Sequence, residues 1–186
     1  GRGRDPPAPA EPDDNTNEVL VPAVGYWLRR NVLAEAQPRD EGFFGQWYDC
    51  QVVRFDDPMV KVRYAELLAD DESETRLVET LPKELLRPKP PEHAGALSLE
   101  EWLDGLVSLD PLEVFVDDAW WLGYFEQLSA APGEARIAVV VEGCANPSRH
   151  FVEPSNVRPR YVFRPATQDW RLVKGSRTPD SRLPPL

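Results

Sequence analysis

Residues 42–91 read GFFGQWYDCQVVRFDDPMVKVRYAELLADDESETRLVETLPKELLRPKPP, and the reading of this stretch decides the fold. WYDCQVVRF alternates apolar and polar residues as a half-buried strand does. In that alternation Tyr48, Cys50 and Val52 share one face, and Trp47, Asp49, Gln51 and Val53 the other. The continuation FDDPM is a turn, because Asp and Pro favour tight reversals. VKVRYAELL predicts a second strand, LADDESET an acidic turn and RLVETLP a third short strand. LPKELLRPKPPEHAG then carries four prolines, which stop both helix and sheet, so the unit is expected to end there.

Working outward, VLVPAVGYWLRRNVLAEA before this stretch is suited to strands, although NVLAEA alone also suits a helix. DEGFFGQ reads as a loop with two glycines. After the prolines, Ser98 with Glu101 three residues on makes a capping box, which predicts a short helix over 98–105. PLEVFVDD, AWWLGYFEQL, RIAVVVEG and RHFVEPSNVRP follow as strand candidates, and YVFRPATQDWRLV closes the pattern. Set side by side, the halves repeat: an aromatic pair leading a strand, a β-branched strand, a short strand, and a closing LRP or VRP. Repeated short strands of this spacing predict an all-β chain with one short helix, built as two small, strongly bent barrels. Barrels below about 70 residues have little core of their own, so the two are expected to pack as a rigid tandem. The expected organisation is a first domain at 19–91, a linker with the helix at 92–105 and a second domain at 106–175. Residues 1–18 and 176–186 have the composition of disordered tails.

The 186 residues hold 32 Asp+Glu against 21 Lys+Arg, a net charge of −11. A hydrophobic fraction of 41% with six Trp is enough for a packed core. No apolar run approaches the ~20 residues that span a bilayer, and GRGRDPPAPAEP has no apolar signal-peptide core. A soluble chain with no membrane partner is therefore expected. The acidic balance argues against nucleic acid as the main partner and for a cationic one. Residues 92–135 hold ten carboxylates and no Lys or Arg, whereas 136–186 hold nine basic and four acidic residues. A plain solvated face is the alternative reading of the acidic stretch. Cys50 and Cys144 form no CxxC or Cys/His cluster, so buried thiols are expected and no metal site. His93 lies in a Pro-rich linker, and Ser148 beside His150 lacks a nucleophile-elbow motif. With no P-loop, GxGxxG or HExxH either, the chain reads as a non-enzyme without a cofactor.

Residues 42–91 resemble a plant-type Agenet domain of the Tudor-like Royal superfamily. The resemblance rests on Gly42, Gly45 and Trp47 in the loop, Tyr48 with Cys50, Tyr64, the acidic turn Asp70-Asp71-Glu72, and the finish Leu86-Arg87-Pro88-Lys89-Pro90-Pro91. VDDAWWLGYF, with Ala119 where the family has Gly, and QDW with a basic tail are similar to the partner domain of a tandem pair. The resemblance implies two Tudor-like barrels in a nuclear chromatin protein that reads histone tails, often the heterochromatic lysine-nine mark of histone three.

That resemblance also implies where a methylated ammonium is held. Methyls replace hydrogen-bond donors, so the diffuse cation is gripped against aromatic faces, at about 0.5–2 kcal/mol per good contact. The cage candidates are Phe43 or Phe44, Tyr48 and Tyr64, with Trp47 as a rival that equally suits a core or interdomain position. Tyr48, at the start of its strand, is expected to project beyond the core. Phe115, Trp120 and Trp121 are second-domain candidates and read better as packing residues. Carboxylates beside a cage would steer a basic tail. The candidates are Asp40, Glu41, Asp49, Glu66, Asp70, Asp71, Glu72 and Glu74, with Asp117, Asp118 and Glu126 from the second half. The implied partner is a methylated histone-tail peptide, bound by a monomer. The competing reading is a scaffold that binds a protein, or RNA through Arg158, Arg160, Arg164, Arg171 and Lys174, unless these arginines pair with the acidic half or across the domain junction.

Overall fold

The computed structural model describes residues 20–21, 27–39, 45–70, 74–92, 94–95, 97–131, 134–142 and 147–175. The expected tails, Cys144, His93 and the loop residues 40–44 and 71–73 lie outside these. In chain order the strands are β1 (Leu20–Val21), β2 (Leu33–Ala36), β3 (Tyr48–Asp56), β4 (Met59–Leu68), β5 (Arg76–Pro82) and β6 (Leu86–Pro88). Helix α1 (Leu99–Asp104) follows, then β7 (Pro111–Val116), β8 (Ala119–Ala131), β9 (Glu134–Val141), β10 (Ser148–Val152), β11 (Val157–Pro159), β12 (Tyr161–Arg164) and β13 (Asp169–Leu172).

Two five-stranded antiparallel sheets have the same order. They are β5-β4-β3-β2-β6 and β10-β9-β8-β7-β11. Each curls because its second strand carries a bulge, where the register shifts between Val52 and Arg54 in β3 and between Phe125 and Gln127 in β8. A bulge adds one unpaired residue and bends the strand, which lets a sheet this small wrap a core. A single 3-10 turn precedes the last strand of each, at Lys83–Leu85 and Pro154–Asn156. The tandem of strongly bent barrels expected from the repeat is the observed architecture.

One local alternative is decided and two expectations are corrected. NVLAEA is not helical: Asn31 takes a positive φ of 66° and donates its N–H to Val52 O, which starts β2 as a strand. The prolines do not stop the sheet before Pro88. LRP pairs with β2 as an edge strand, and so does VRP with β7, because an edge tolerates a residue without an N–H. RHFVEPSNVRP is therefore two strands separated by the turn at Pro154. The C-terminal hairpin β12–β13 joins neither barrel sheet. It forms a third sheet with β1, in the order β1-β13-β12.

The alternation of β3 and β4 buries Tyr48, Cys50, Val52, Val60, Val62 and Tyr64 inside barrel 1, with Ala34, Ala36, Leu81 and Leu86. Barrel 2 is filled by Leu112, Val114, Phe125, Ile137, Val139, Val141 and Val157. Helix α1 begins with the expected capping box: Ser98 Oγ accepts from Glu101 N, and Glu101 Oε2 accepts from Ser98 N. It adds Leu103 to the core of barrel 2. The cores meet where Ala119 of β8 packs into barrel 1 and Trp121 packs on both.

Cys50 is buried, and burial pushes its thiol pKa up to about 12. In a Cys144→Ser background a maleimide should therefore leave the native protein unlabelled at pH 8 and label it in urea. Gly123 occupies the same place in β8 as Cys50 in β3, but a Cβ there would lie 2.8 Å from Val114 Cγ2 and 3.1 Å from Val140 O. Gly123→Ala should cost about 1–3 kcal/mol in urea denaturation as overpacking; an unchanged midpoint would mean that β7 and β9 yield.

Candidate functional site

The two halves of the chain are stitched together at their aromatic pairs. Trp47, just before β3, and Trp120, at the start of β8, exchange both backbone bonds, N to O, at 2.9 Å each. Beneath this bridge lie four charged side chains. Glu35 of β2 opposes Arg87 of β6, and Glu113 of β7 opposes Arg158 of β11, so each barrel supplies one Glu–Arg pair. Each arginine also reaches across. Arg87 binds Glu113 with two bonds of 2.8 Å, and Arg158 binds Glu35 at 2.7 and 2.9 Å. Within the barrels, Arg87 Nε donates to Glu35 and Arg158 Nε to Glu113, both at 2.8 Å.

This quartet is nearly out of water: Glu35 is 0% exposed, Arg87 4% and Glu113 5%, and the Arg158 side chain is 12% exposed. An isolated buried ion costs several kcal/mol, but two cations and two anions with nearly all donors and acceptors used compensate one another. Burial by itself would raise the Glu35 pKa, yet Arg87, Arg158 and Lys89 hold it below its ordinary value. Burial likewise opposes the Arg158 charge, and Glu35 and Glu113 outweigh it. Each guanidinium is covered by a tryptophan, Arg87 at 4.1 Å from the Trp47 ring centre and Arg158 at 3.8 Å from that of Trp120.

The cage candidates fall on both sides of β3. Trp47, considered as a cage wall, already holds an internal cation against its face. Tyr48 and Tyr64 do not project beyond the core. They are 5% and 1% exposed, edge to face with ring centres 6.3 Å apart. Their hydroxyls donate to Gln46 Oε1 at 2.6 Å and to Glu79 Oε2 at 2.9 Å. Phe43 and Phe44 lie outside the described residues. Phe115 packs on Trp120 at 5.2 Å, and Trp121 Nε1 donates to Val116 O at 3.0 Å, so both rings serve packing.

Of the acidic candidates, Asp117 and Asp118 reach barrel 1 from barrel 2. They form the β7–β8 turn, where both take positive φ (50° and 62°), as a two-residue hairpin turn of the primed type requires. The turn leans on barrel 1, because the next residue, Ala119, is inside that core. Burial first, and then the negative charges of Asp118 and Asp117, raise the Tyr48 pKa. Asp49 is ion-paired with Lys89, Glu66 with Arg76 at 3.5 Å and Glu126 with Arg149 at 2.6 Å, so cations within the chain already compensate these three. Asp70 and Glu74 are exposed in the β4–β5 turn region. Asp40, Glu41, Asp71 and Glu72 lie outside the described residues.

On the Trp47 side a cleft of about 550 Å³ opens between the barrels, lined by Trp47, Glu84, Leu122, Glu142, Arg160 and Phe163 among others. Ser148 Oγ and His150 Nε2 lie 2.8 Å apart on edge strand β10 as neighbours two residues apart. Among the described residues there is no group of three or more His, Cys, Asp or Glu suited to a metal. No helix is long and apolar enough to cross a membrane. Sequence reasoning passed over Glu35, Arg87 and Glu113. The repeated LRP and VRP were the available signal, since a charged residue at the same place in both repeats calls for a shared partner.

The fold and junction together define a tandem of Tudor-like barrels. Residues 33–91, which make up barrel 1, match the family profile of the Agenet domain. The chain has the fold of a tandem Agenet pair, resembling the crystal structure of Arabidopsis thaliana AGDP1 AGD34 with a TM-score of 0.62 and 19% identity, over 79% of this chain and 90% of that one. The ADCP1 tandem Agenet domain 3-4 is similar at a TM-score of 0.59 and 17% identity, over 79% and 89%. No curated protein sequence matches the chain.

Removing one member of the quartet strands an opposite charge in a dry site. Arg87→Ala should therefore cost about 3–5 kcal/mol in urea denaturation, as should Arg158→Ala. Because the folded pKa of Glu35 is depressed, its contribution is fully present above the ordinary value of 4.5 and is lost as pH falls through the lower folded value. Stability measured from pH 7 downward should fall more steeply below pH 4.5 in the wild type than in Glu35→Gln.

Proposed function

We propose that this chain is a non-catalytic chromatin reader, acting in the nucleus, that binds a histone tail through a methylated lysine. The preferred mark is the heterochromatic lysine nine of histone three. The ammonium is received in barrel 1 between Tyr48 and Tyr64, with Phe43 or Phe44 closing the remaining side, and the tail's basic flanks run past the junction. The observation that carries this reading is the Asp117–Asp118 turn. Barrel 2 sets two exposed carboxylates beside barrel 1, because Ala119, the residue that follows them, is buried in the core that holds Tyr48. Aromatic faces with carboxylates at their edge suit a methylated cation, because the rings supply attraction without donors and the carboxylates lower the cost of bringing positive charge in. Tyr48 is enclosed in this structure, so it must turn out of its hydrogen bond to Gln46 to admit the ligand.

A second reading is a scaffold indifferent to methylation, and the closed Tyr48–Tyr64 pair favours it. Its RNA form is the weaker version, because Arg158 is committed to the quartet and Arg164 to Asp169 at 2.6 Å.

Titration of unmodified, mono-, di- and trimethylated histone peptides separates the two readings. The reader requires at least tenfold tighter binding of a methylated peptide, lost in Tyr48→Ala and weakened about threefold or more by Asp117→Asn/Asp118→Asn. Equal affinity for every methyl state in the folded wild type would sink the cage.

A further inference from the structure

The outer face of barrel 1 carries both paired and unpaired cations. Arg54, Arg76, Lys83 and Lys89 each have a carboxylate partner, at Asp56, Glu66, Asp57 and Asp49. Among the described residues, Arg29, Arg30, Lys61 and Arg63 have none. All four are exposed.

Register places Lys61 and Arg63 on one surface, and Arg29 and Arg30 lie in the segment that leads into β2. Lys61 and Arg63 alternate with buried Val60, Val62 and Tyr64 along β4, so both point outward. Lys61 lies opposite Arg54, and Arg63 opposite Gln51, which in turn faces Leu33. Asn31 bonds Val52 O, so Arg30 and Arg29 enter beside β3 at the level of this row. They stand about two strand spacings, roughly 10 Å, from β4.

We infer that this face is a contact surface for the phosphate backbone of nucleic acid. Two adjacent rungs of cations along β4 repeat at about 6–7 Å, commensurate with phosphates that recur every ~3.4 Å of axis along each strand. Guanidinium forks suit phosphate oxygens, and the face is a broad sheet surface with only Leu33 and Val78 as exposed large apolar residues on the Arg63 rung. That arrangement fits sequence-independent backbone contact rather than an anchored peptide or an inserted membrane wedge. In a chain of net charge −11, Lys61 and Arg63 on adjacent rungs of β4, with exposed Arg54 opposite Lys61, make a local cationic face whose partner carries the opposite sign. The contact is accessory, with an affinity in the nonspecific range, on the order of 10⁻⁵ M at physiological salt. It does not depend on whether barrel 1 reads methyl-lysine.

The test is fluorescence anisotropy of a short labelled DNA duplex with the full chain, titrated between about 50 and 200 mM salt. Four backbone contacts predict a log–log salt slope of about −3 to −4. Lys61→Glu/Arg63→Glu should reduce that slope by about 2 and the low-salt affinity at least tenfold. Lys83→Glu, which alters the net charge at a paired cation, should change it less than threefold. If the double reversal misfolds by circular dichroism, Lys61→Gln/Arg63→Gln answers the same question. Absence of saturable binding at low salt, or an equal loss in Lys83→Glu, would overturn the inference. So would polyglutamate or anionic vesicles bound as tightly as the duplex.

Discussion

Four ions hold the two barrels in one arrangement. Glu35, Arg87, Glu113 and Arg158 are drawn equally from both repeats, and every one makes a charged contact inside its own barrel and another across the junction. Replacing a buried ion pair by apolar side chains is often neutral for stability. What the quartet adds is geometric. A slip of either barrel by one residue would leave a guanidinium or a carboxylate dry and unpaired, at a cost of several kcal/mol. The Trp47–Trp120 bridge fixes the same register through the backbone. The tandem therefore behaves as one body, and a site built from both barrels keeps its shape.

The near-symmetry of the junction gives the first residue of each aromatic pair the same role and lets the second differ. Trp47 and Trp120 occupy corresponding positions and cover corresponding arginines, so the first residue of each aromatic pair is committed to structure. The second residues diverge. Trp121 wedges between the two cores with its Nε1 bonded to Val116 O, whereas Tyr48 faces Tyr64 inside barrel 1. Symmetry breaks again at the turns, because the β7–β8 turn places Asp117 and Asp118 against the neighbouring barrel. A pair of like barrels thus yields one aromatic pair with carboxylates beside it.

Much of the fold was legible in the chain. The alternation in WYDCQVVRF sorted β3 into the two faces that the structure shows, since a strand has a fixed period of two, and VKVRYAELL was legible as the strand β4. Ser98 and Glu101 marked α1 because a capping box is a local interaction. Prolines misled at Pro88, where the missing N–H is harmless on an edge strand, and edge position is a property of the sheet. β12 and β13 were legible as strands, but their pairing with Leu20 and Val21 brings together residues from opposite ends of the chain.

The sequence by itself determined that this protein is a repeat of small bent sheets with an acidic middle and paired aromatics, because each of those features depends on composition or short spacing. Only the tertiary structure decided what the charges and rings are for. Arg158 in VRP looks like any surface arginine until Glu35, 123 residues away, is seen to bind it. Trp47 and Tyr48 are adjacent in the chain, yet one covers a buried guanidinium and the other lies in a core. Pairing of ions and burial of rings are set by distances across the fold, and no local pattern encodes those.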